Sequence, residues 1–302
     1  MNFDLSDDQI ALRDGIRSML EGKLPMSRVR EGFGRTVHDD LAAAGVFSLR
    51  ADGFGWADTA VVYEELGRAL VPGPLVSSLG HDGITGTFDR AVGGEPLVEH
   101  LDVLGALLVL DADAIRAVDP SALEGTAVEW PLDPLTPVWR VAHLPDGERV
   151  GGAAELAELR SEGALLTAAY CVGMADLLTE LAVAYAKERE QFDRPIGSFQ
   201  AVKHLCADMV VRAEVARAAV YAAACVLDDP ATGRTGRALS GAKLLANEAA
   251  ILNGRSAMQV FGGIGFTWEV DVHLYLKRAW VLDTHFGSID AHADALAATL
   301  PS

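Results

Sequence analysis

Apolar residues recur at helical spacing over most of this chain, and the exceptions gather in one stretch. Near the N-terminus Ser6 and Gln9 make a capping box ahead of Ile10, Ile16 and Leu20. Thr36 opens a short helix that Gly45 closes, and a third helix runs from about Asp58 through Val61, Val62, Leu66 and Leu70 until Pro72 and Pro74 stop it. Between about 81 and 152 Gly and Pro become more frequent, and short apolar runs at 106–110, 114–118, 126–130 and 137–142 lie between turn residues, which predicts strands of a small sheet. From 153 onward the pattern is helical again. Residues 155–190 carry a stripe of Leu159, Leu166, Tyr170, Leu177, Leu181 and Tyr185, enough for a helix of ~54 Å at 1.5 Å per residue. A helix after Ser198 should turn Phe199, Val202, Leu205, Met209 and Val210 inward. Further helices are expected from Thr235 to about Val260, over 271–279 and over 288–300.

The expected fold is mainly α: an N-terminal helical domain (1–80), a reduced middle β-domain (81–152) and a C-terminal bundle of long antiparallel helices (153–302). Half of the 302 residues are apolar, enough to bury a full core. A formal net charge of −18 makes long-range attraction to nucleic acid or an anionic membrane unfavourable. The N-terminus reads as lacking a secretory signal, and no stretch reads as a membrane span. Cys171, Cys206 and Cys225 have no CxxC spacing and read as reduced core residues of a cytoplasmic protein. No metal-ligand spacing is seen.

Two segments carry the chemistry. The first, YAKEREQFDRPIGSFQAVKH (185–204), brings Arg189, Gln191 and Phe192 together where a helix stops. A guanidinium, an amide and an aromatic ring there suit a nucleotide with a diphosphate, although a basic residue at a helix C-terminus also simply complements the dipole. The second, QVFGGIGFTWEVDVHLYLKRA (259–279), offers Gln259 and the Gly262-Gly263 pair, whose backbone can be approached closely. Because it follows a helix and not a strand, the Gly-rich run is not a Rossmann fingerprint. Arg189, Arg194, Lys203, Arg255, Lys277 and Arg278 cluster around the two segments in an otherwise acidic chain.

In order and separation these segments resemble the C-terminal helical domain of the FAD-dependent acyl-CoA dehydrogenases. The resemblance is strong over about 155–290 and weak over the N-terminal helices. It implies that Arg189, Gln191, Phe192, Gln259, Gly262 and Gly263 contact, in trans, an FAD bound mainly by a neighbouring subunit. It also implies a catalytic carboxylate at one of two places, and neither holds one. Phe286 stands where most members have the Glu of a turn, and Gly163 stands at the alternative place early in the long helix, with Glu162 one residue away. His285 beside the first place is a weak candidate base. The flavin-ring loop and the following Gly-Ser segment of full-length relatives are not found between His81 and Gly152.

The chain therefore resembles the short subunit of bacterial heterotetrameric acyl-CoA dehydrogenases. Its expected role is to complete the FAD site of a full-length partner in an α2β2 assembly. That assembly would introduce a 2,3-double bond into an acyl-CoA, with steroid-derived groups suggested, and electron-transfer flavoprotein would be the acceptor. The alternatives are a self-sufficient homomeric dehydrogenase with a relocated base, and a non-enzymatic helical scaffold derived from such an enzyme.

Overall fold

The computed structural model describes residues 4–90 and 93–299. The chain divides into two compact units that interleave in sequence. One comprises Met1–Leu20, Trp56–Leu70 and Ala164–Ser302, the other Glu21–Gly55 and Val71–Gly163.

The first unit is helical. Helix α1 (Asp7–Lys23) begins with the expected capping box, Ser6 N donating to Gln9 Oε1 at 3.0 Å and Gln9 N to Ser6 Oγ at 3.2 Å. It buries Ile16 and Leu20 but leaves Ile10 exposed. With it belong α4 (Trp56–Arg68), the long α6 (Ala153–Glu188, from Ala164 on), α7 (Gln200–Asp228), α8 (Thr235–Phe261), α9 (Val272–Asp283) and α10 (Ile289–Ala297). The expected last helix thus ends three residues early, and Leu300 lies outside the described residues.

Two glycines set how α4 and α6 meet. A Cβ on Gly67 would collide with Tyr170 O, and one on Gly173 with Glu64 O, so the helices cross backbone against backbone. At the same crossing the Glu64 carboxylate accepts from Arg217 Nε (2.9 Å) and the Tyr221 hydroxyl (2.8 Å), both on α7, while Arg217 also reaches Asp176 on α6 (3.0 Å). Around this crossing the middle of α6 is buried on every side, which is why its sequence is apolar all round instead of striped. Hence residues 153–188 do pass the length and hydropathy test for a membrane span, contrary to the expectation above, with 72% of the apolar window buried in the fold as a core helix. Val210 corrects a second expectation, since it lies on the exposed side of α7 while Met209 faces inward. Cys171 is buried as expected, but Cys206 and Cys225 are only half-buried.

The second unit contains α2 (Met26–Val29), α3 (Arg35–Ala43), α5 (Leu75–Ser78) and two small sheets. Strands β1 (Thr85–Asp89), β3 (Ala106–Leu110), β4 (Ile115–Val118) and β7 (Glu148–Gly151) form one, in the order β1-β3-β4-β7, with β1 parallel to β3 and the other pairs antiparallel. Strands β2 (Leu97–Glu99), β6 (Val138–Val141) and β5 (Gly125–Ala127) form the other, antiparallel in that order. Val98, Leu107, Val109, Val118, Val141 and Leu144 share one core, so the sheets pack face to face. Trp130, expected at a strand end, projects from the loop after β5.

The glycine crossing yields a stability prediction. Gly173→Ala should cost about 3 kcal/mol, the upper end for overpacking, because neither partner atom is a movable side-chain tip. Gly15→Ala, on α1 with nothing near its Cβ position, should instead stabilise by ~0.5–1 kcal/mol through helix propensity. Urea unfolding midpoints of the two variants check both signs.

Candidate functional site at the end of the helical unit

Helix α6 runs out at a hairpin. Arg189 N still donates to Tyr185 O (2.8 Å), after which β8 (Glu190–Gln191) pairs with β9 (Arg194–Pro195) across a two-residue corner, Phe192 and Asp193, at φ 56° and 61°. Two left-handed residues in succession are what a tight hairpin of this kind requires, and Asn-Gly is the usual choice. A phenylalanine there costs on the order of 1–2 kcal/mol, whereas an aspartate tolerates the left-handed region. Arg189 and Gln191 are exposed, and Phe192 is 85% exposed. The corner is braced from behind: Ile196 N donates to Arg189 O (2.7 Å), the Arg194 guanidinium lies 4.1 Å from the centre of the Phe199 ring, and Phe192 meets that ring edge-on at 6.0 Å.

The second segment arrives at the same place. Tyr185, one turn before Arg189, stacks on Phe261 at 4.2 Å between ring centres, which sets the end of α8 beside the hairpin. Gln259 is exposed on the last turn of α8. Gly262 follows at φ 64°, and neither Gly262 nor Gly263 has an atom within 4 Å of where a Cβ would be, so bare backbone faces open space. Beyond it Phe266 is 76% and Trp268 60% exposed, with Lys277 Nζ 5.5 Å from the Trp268 ring centre. The hairpin residues and the end of α8 are thus brought together, with Arg194, already counted among the clustered cations, in the hairpin, and with the exposed Phe266 and Trp268 just beyond α8, which the sequence reading did not assign to the site. Cations, flat apolar rings and bare backbone fit an anionic nucleotide such as the adenine-diphosphate part of FAD. Arg278 is not part of this surface; it is buried and donates to the Tyr170 hydroxyl (3.3 Å).

The turn after α9 is held from beneath. Phe286 lies at φ 53° and Gly287 at φ 101°. The fully buried Lys243 donates to Leu282 O (3.1 Å) and Gly287 O (3.2 Å), and Asn247 Nδ2 donates to Asp283 Oδ1 (3.2 Å), which also accepts from Ile289 N (3.0 Å). His292 bridges Phe286 O (3.0 Å) and Ser240 Oγ (3.2 Å). Burial lowers Lys243 to about 8, depresses His292, and raises the Cys171 thiol, which donates to Asn247 Oδ1 (3.2 Å), to about 12. The sequence signal for this network is a lysine flanked at helical spacing by Leu239, Ala246 and Ala250, all buried. His285 is half-buried in the same turn. In the other unit Glu162 is half-buried on α6, and burial, aided by Glu158 one turn away and opposed by Arg50, lifts its carboxyl to about 7. Among the described residues no group of three or more His, Cys, Asp or Glu could hold a metal ion.

Lys243 yields a pH prediction. Its folded pKa lies below that of the unfolded chain, so between about pH 8 and 10.5 the unfolded state binds more protons and this residue's contribution makes stability rise with pH. Lys243→Met should remove that rise, visible between pH 8 and 9 as a flatter plot of urea midpoint than wild type. It should also cost ~1–3 kcal/mol at pH 7 as Gly287 O loses this donor, Leu282 O keeping His285 N and Asn247 Nδ2.

Comparisons with known proteins agree on one family. Residues 153–300 match the family model described as acyl-CoA dehydrogenase, C-terminal domain. Acyl-CoA dehydrogenase IpdE2 of Mycobacterium tuberculosis is 37% identical over 264 residues, covering 82% of this chain and 80% of the relative. The fold matches that in the crystal structure of the ChsE4-ChsE5 complex from Mycobacterium tuberculosis (TM-score 0.83, 21% identity, 100% of both chains) and the Tcur3481-Tcur3483 steroid ACAD G363A variant (TM-score 0.80, 21% identity, 97% of both chains). A relative of this identity and coverage, with the family model over the C-terminal half, establishes that the chain belongs to the acyl-CoA dehydrogenases, FAD-dependent oxidoreductases that act on CH–CH bonds.

Proposed function

We propose that this chain is the smaller, base-free subunit of a heteromeric acyl-CoA dehydrogenase and that it completes the FAD site of a full-length partner in an α2β2 assembly. The observation that carries this reading is the exposed hairpin, where Phe192 is held in a costly backbone conformation with its ring in solvent beside Arg189 and the bare Gly262-Gly263 backbone. Such strain is kept where a ligand or partner uses the side chain. FAD, when bound, would supply the acceptor for the hydride from Cβ of the acyl thioester, with the α-proton going to a carboxylate base on the partner as the 2,3-double bond forms. On this chain Arg189 and Gln191 would hold the diphosphate, Phe192 would cover the adenine, and Gln259 with Gly262 and Gly263 would close the other side. In the other part of the expected site, Phe286 itself offers no carboxylate and that of Asp283 is taken up by Asn247 and Ile289, which supports placing the base on the partner.

The solved neighbours that are two-component assemblies, one described as a steroid dehydrogenase, support a bulky, steroid-derived acyl-CoA as substrate. Electron-transfer flavoprotein is the proposed acceptor. The three-part division at 80 and 152 remains the proposed sequence-level domain frame, and three free thiols suit a cytoplasmic protein.

Flavin stoichiometry tests the reading. Purified alone the chain should carry little FAD, and co-expressed with its full-length partner it should give one FAD per heterodimer; stoichiometric FAD on the homomer would overturn the proposal. Arg189→Ala should leave the complex folded but weaken FAD retention roughly 10- to 150-fold, the worth of one charge-assisted hydrogen bond. His285→Ala should keep the single-turnover rate of flavin bleaching within about tenfold, whereas loss of a general base costs ~100-fold or more.

A second reading, a self-sufficient enzyme with a relocated base, draws on Glu162. Its raised pKa means the folded state holds the extra proton between about pH 4.5 and 7, so this group lowers stability as pH rises through that window. Glu162→Gln should therefore raise the urea midpoint at pH 7 while leaving the bleaching rate of the complex unchanged. A hundredfold loss of rate would favour the second reading.

A further inference from the structure

The loop after α8 holds a large apolar ring in solvent. Phe266 is 76% exposed, and among the described residues no aromatic ring or cation meets it. The backbone on either side of it is tied down. Gly265 is buried against the last turn of α8, where a Cβ would lie 3.2 Å from both Met258 O and Phe261 Cβ. Thr267 donates to Ile264 O from N (2.9 Å) and from Oγ1 (2.8 Å). Phe266 therefore sits at the tip of a tight, fixed loop. Trp268, the next exposed ring, is already engaged: Lys277 Nζ lies 5.5 Å from its centre, and it meets His273 in a T-shaped contact at 5.0 Å.

An adenine has two flat faces, and on the reading above Phe192 covers one of them. The hairpin has no second ring to offer, because Phe199 lies behind the corner with the Arg194 guanidinium 4.1 Å from its centre. We propose that Phe266 is the second wall, so that the adenine of the partner-bound dinucleotide is held between Phe192 and Phe266. The inference rests on the reading that this chain contacts the partner's FAD in trans. It is carried by an unbroken set of contacts between the two rings. Gly265, next to Phe266, packs on Phe261; Phe261 stacks on Tyr185 at 4.2 Å; and Tyr185 lies one turn before Arg189, whose carbonyl accepts from Ile196 N of the hairpin at 2.7 Å. The two exposed rings stand on one frame, one on each segment, and the bare Gly262-Gly263 backbone belongs to the same loop as Phe266. Stacking on a base is insensitive to which base it is, since every base has a π-face. The paired rings therefore supply affinity for a nucleotide end, and the cations and amides beside them select the diphosphate.

The test uses the complex with the full-length flavin-bearing subunit, stripped of flavin and reloaded with FAD or with etheno-FAD, whose modified adenine fluoresces and is quenched by stacking on aromatic rings. Wild type, Phe266→Ala, Phe266→Tyr, Phe192→Ala and Arg189→Ala are compared for co-purified partner, flavin retention on dilution and etheno emission. Phe266→Ala should keep the partner, weaken flavin retention about 5- to 150-fold, the worth of one stacked base, and raise the etheno emission. Phe192→Ala should do the same, Phe266→Tyr should restore both readings, and Arg189→Ala should weaken retention with the etheno emission of the bound fraction still quenched. Wild-type retention and emission in Phe266→Ala overturn the wall and leave the trans reading standing on Arg189 and Phe192. Loss of the partner from Phe266→Ala, or no rescue by Phe266→Tyr, also overturns it, because the ring would then serve subunit packing or the loop itself. Flavin retention unchanged in all three alanine variants overturns the trans reading and the wall with it, and a wild-type chain that captures no flavin-bearing subunit overturns both through the heteromeric reading.

Discussion

The helical unit is organised around the contact in which α4 and α6 approach backbone to backbone at Gly67 and Gly173. Glu64 contributes its carbonyl to that contact and its carboxylate to α7. Burying a carboxylate is costly, and here desolvation outweighs the pull of Arg217, so the Glu64 pKa is raised even with two donors in place. The arrangement holds because each partner is itself committed: Arg217 also meets Asp176, and Arg68, one turn beyond Glu64, reaches Asp176 (2.9 Å) and Glu180 on α6. A larger residue at either glycine would separate the helices and leave these charges buried and apart. The direction in which α6 delivers its C-terminal hairpin, and the face that α7 turns to solvent, both follow from this crossing.

Left-handed non-glycine residues occur at Leu70 and His100 and at the two places where function was expected. Phe192 and Asp193 at the hairpin and Phe286 in the turn after α9 are left-handed without being glycine. In the first case the Phe199 ring, the Arg194 guanidinium and a backbone hydrogen bond from Ile196 hold the corner. In the second, a buried lysine, an asparagine and a histidine satisfy the carbonyls and side chain that define the turn. The supports of the second turn lie beneath it, whereas Arg194 at the hairpin is itself exposed.

Much of this was legible from residue order because it is local. Capping at Ser6 and Gln9, the stop after α4, the limits of α6 and the run of strands after 81 each depend on neighbours a few residues apart, and the motif residues Arg189, Gln191, Phe192, Gln259, Gly262 and Gly263 are contiguous within two short segments. What the pattern misjudged also has a local cause. Val210 follows Met209 on a helix apolar on more than one face, and periodicity alone cannot say which apolar face meets the core. The apolar length of α6 signals burial on all sides, a condition that a buried core helix shares with a membrane span.

By itself the sequence determined the helical and strand segments and the two motif segments, since each is a property of residue type and spacing. Tertiary structure alone decided that Tyr185 and Phe261, 76 positions apart, stack and so bring the segments together, and that Arg278 is buried while Lys277 covers Trp268. It also decided that Lys243 supports a turn some forty residues later and that the valines of α7 face outward. These depend on where helices cross, and the crossing is set by side-chain volume at a few distant contacts, chiefly two glycines, which no local pattern encodes.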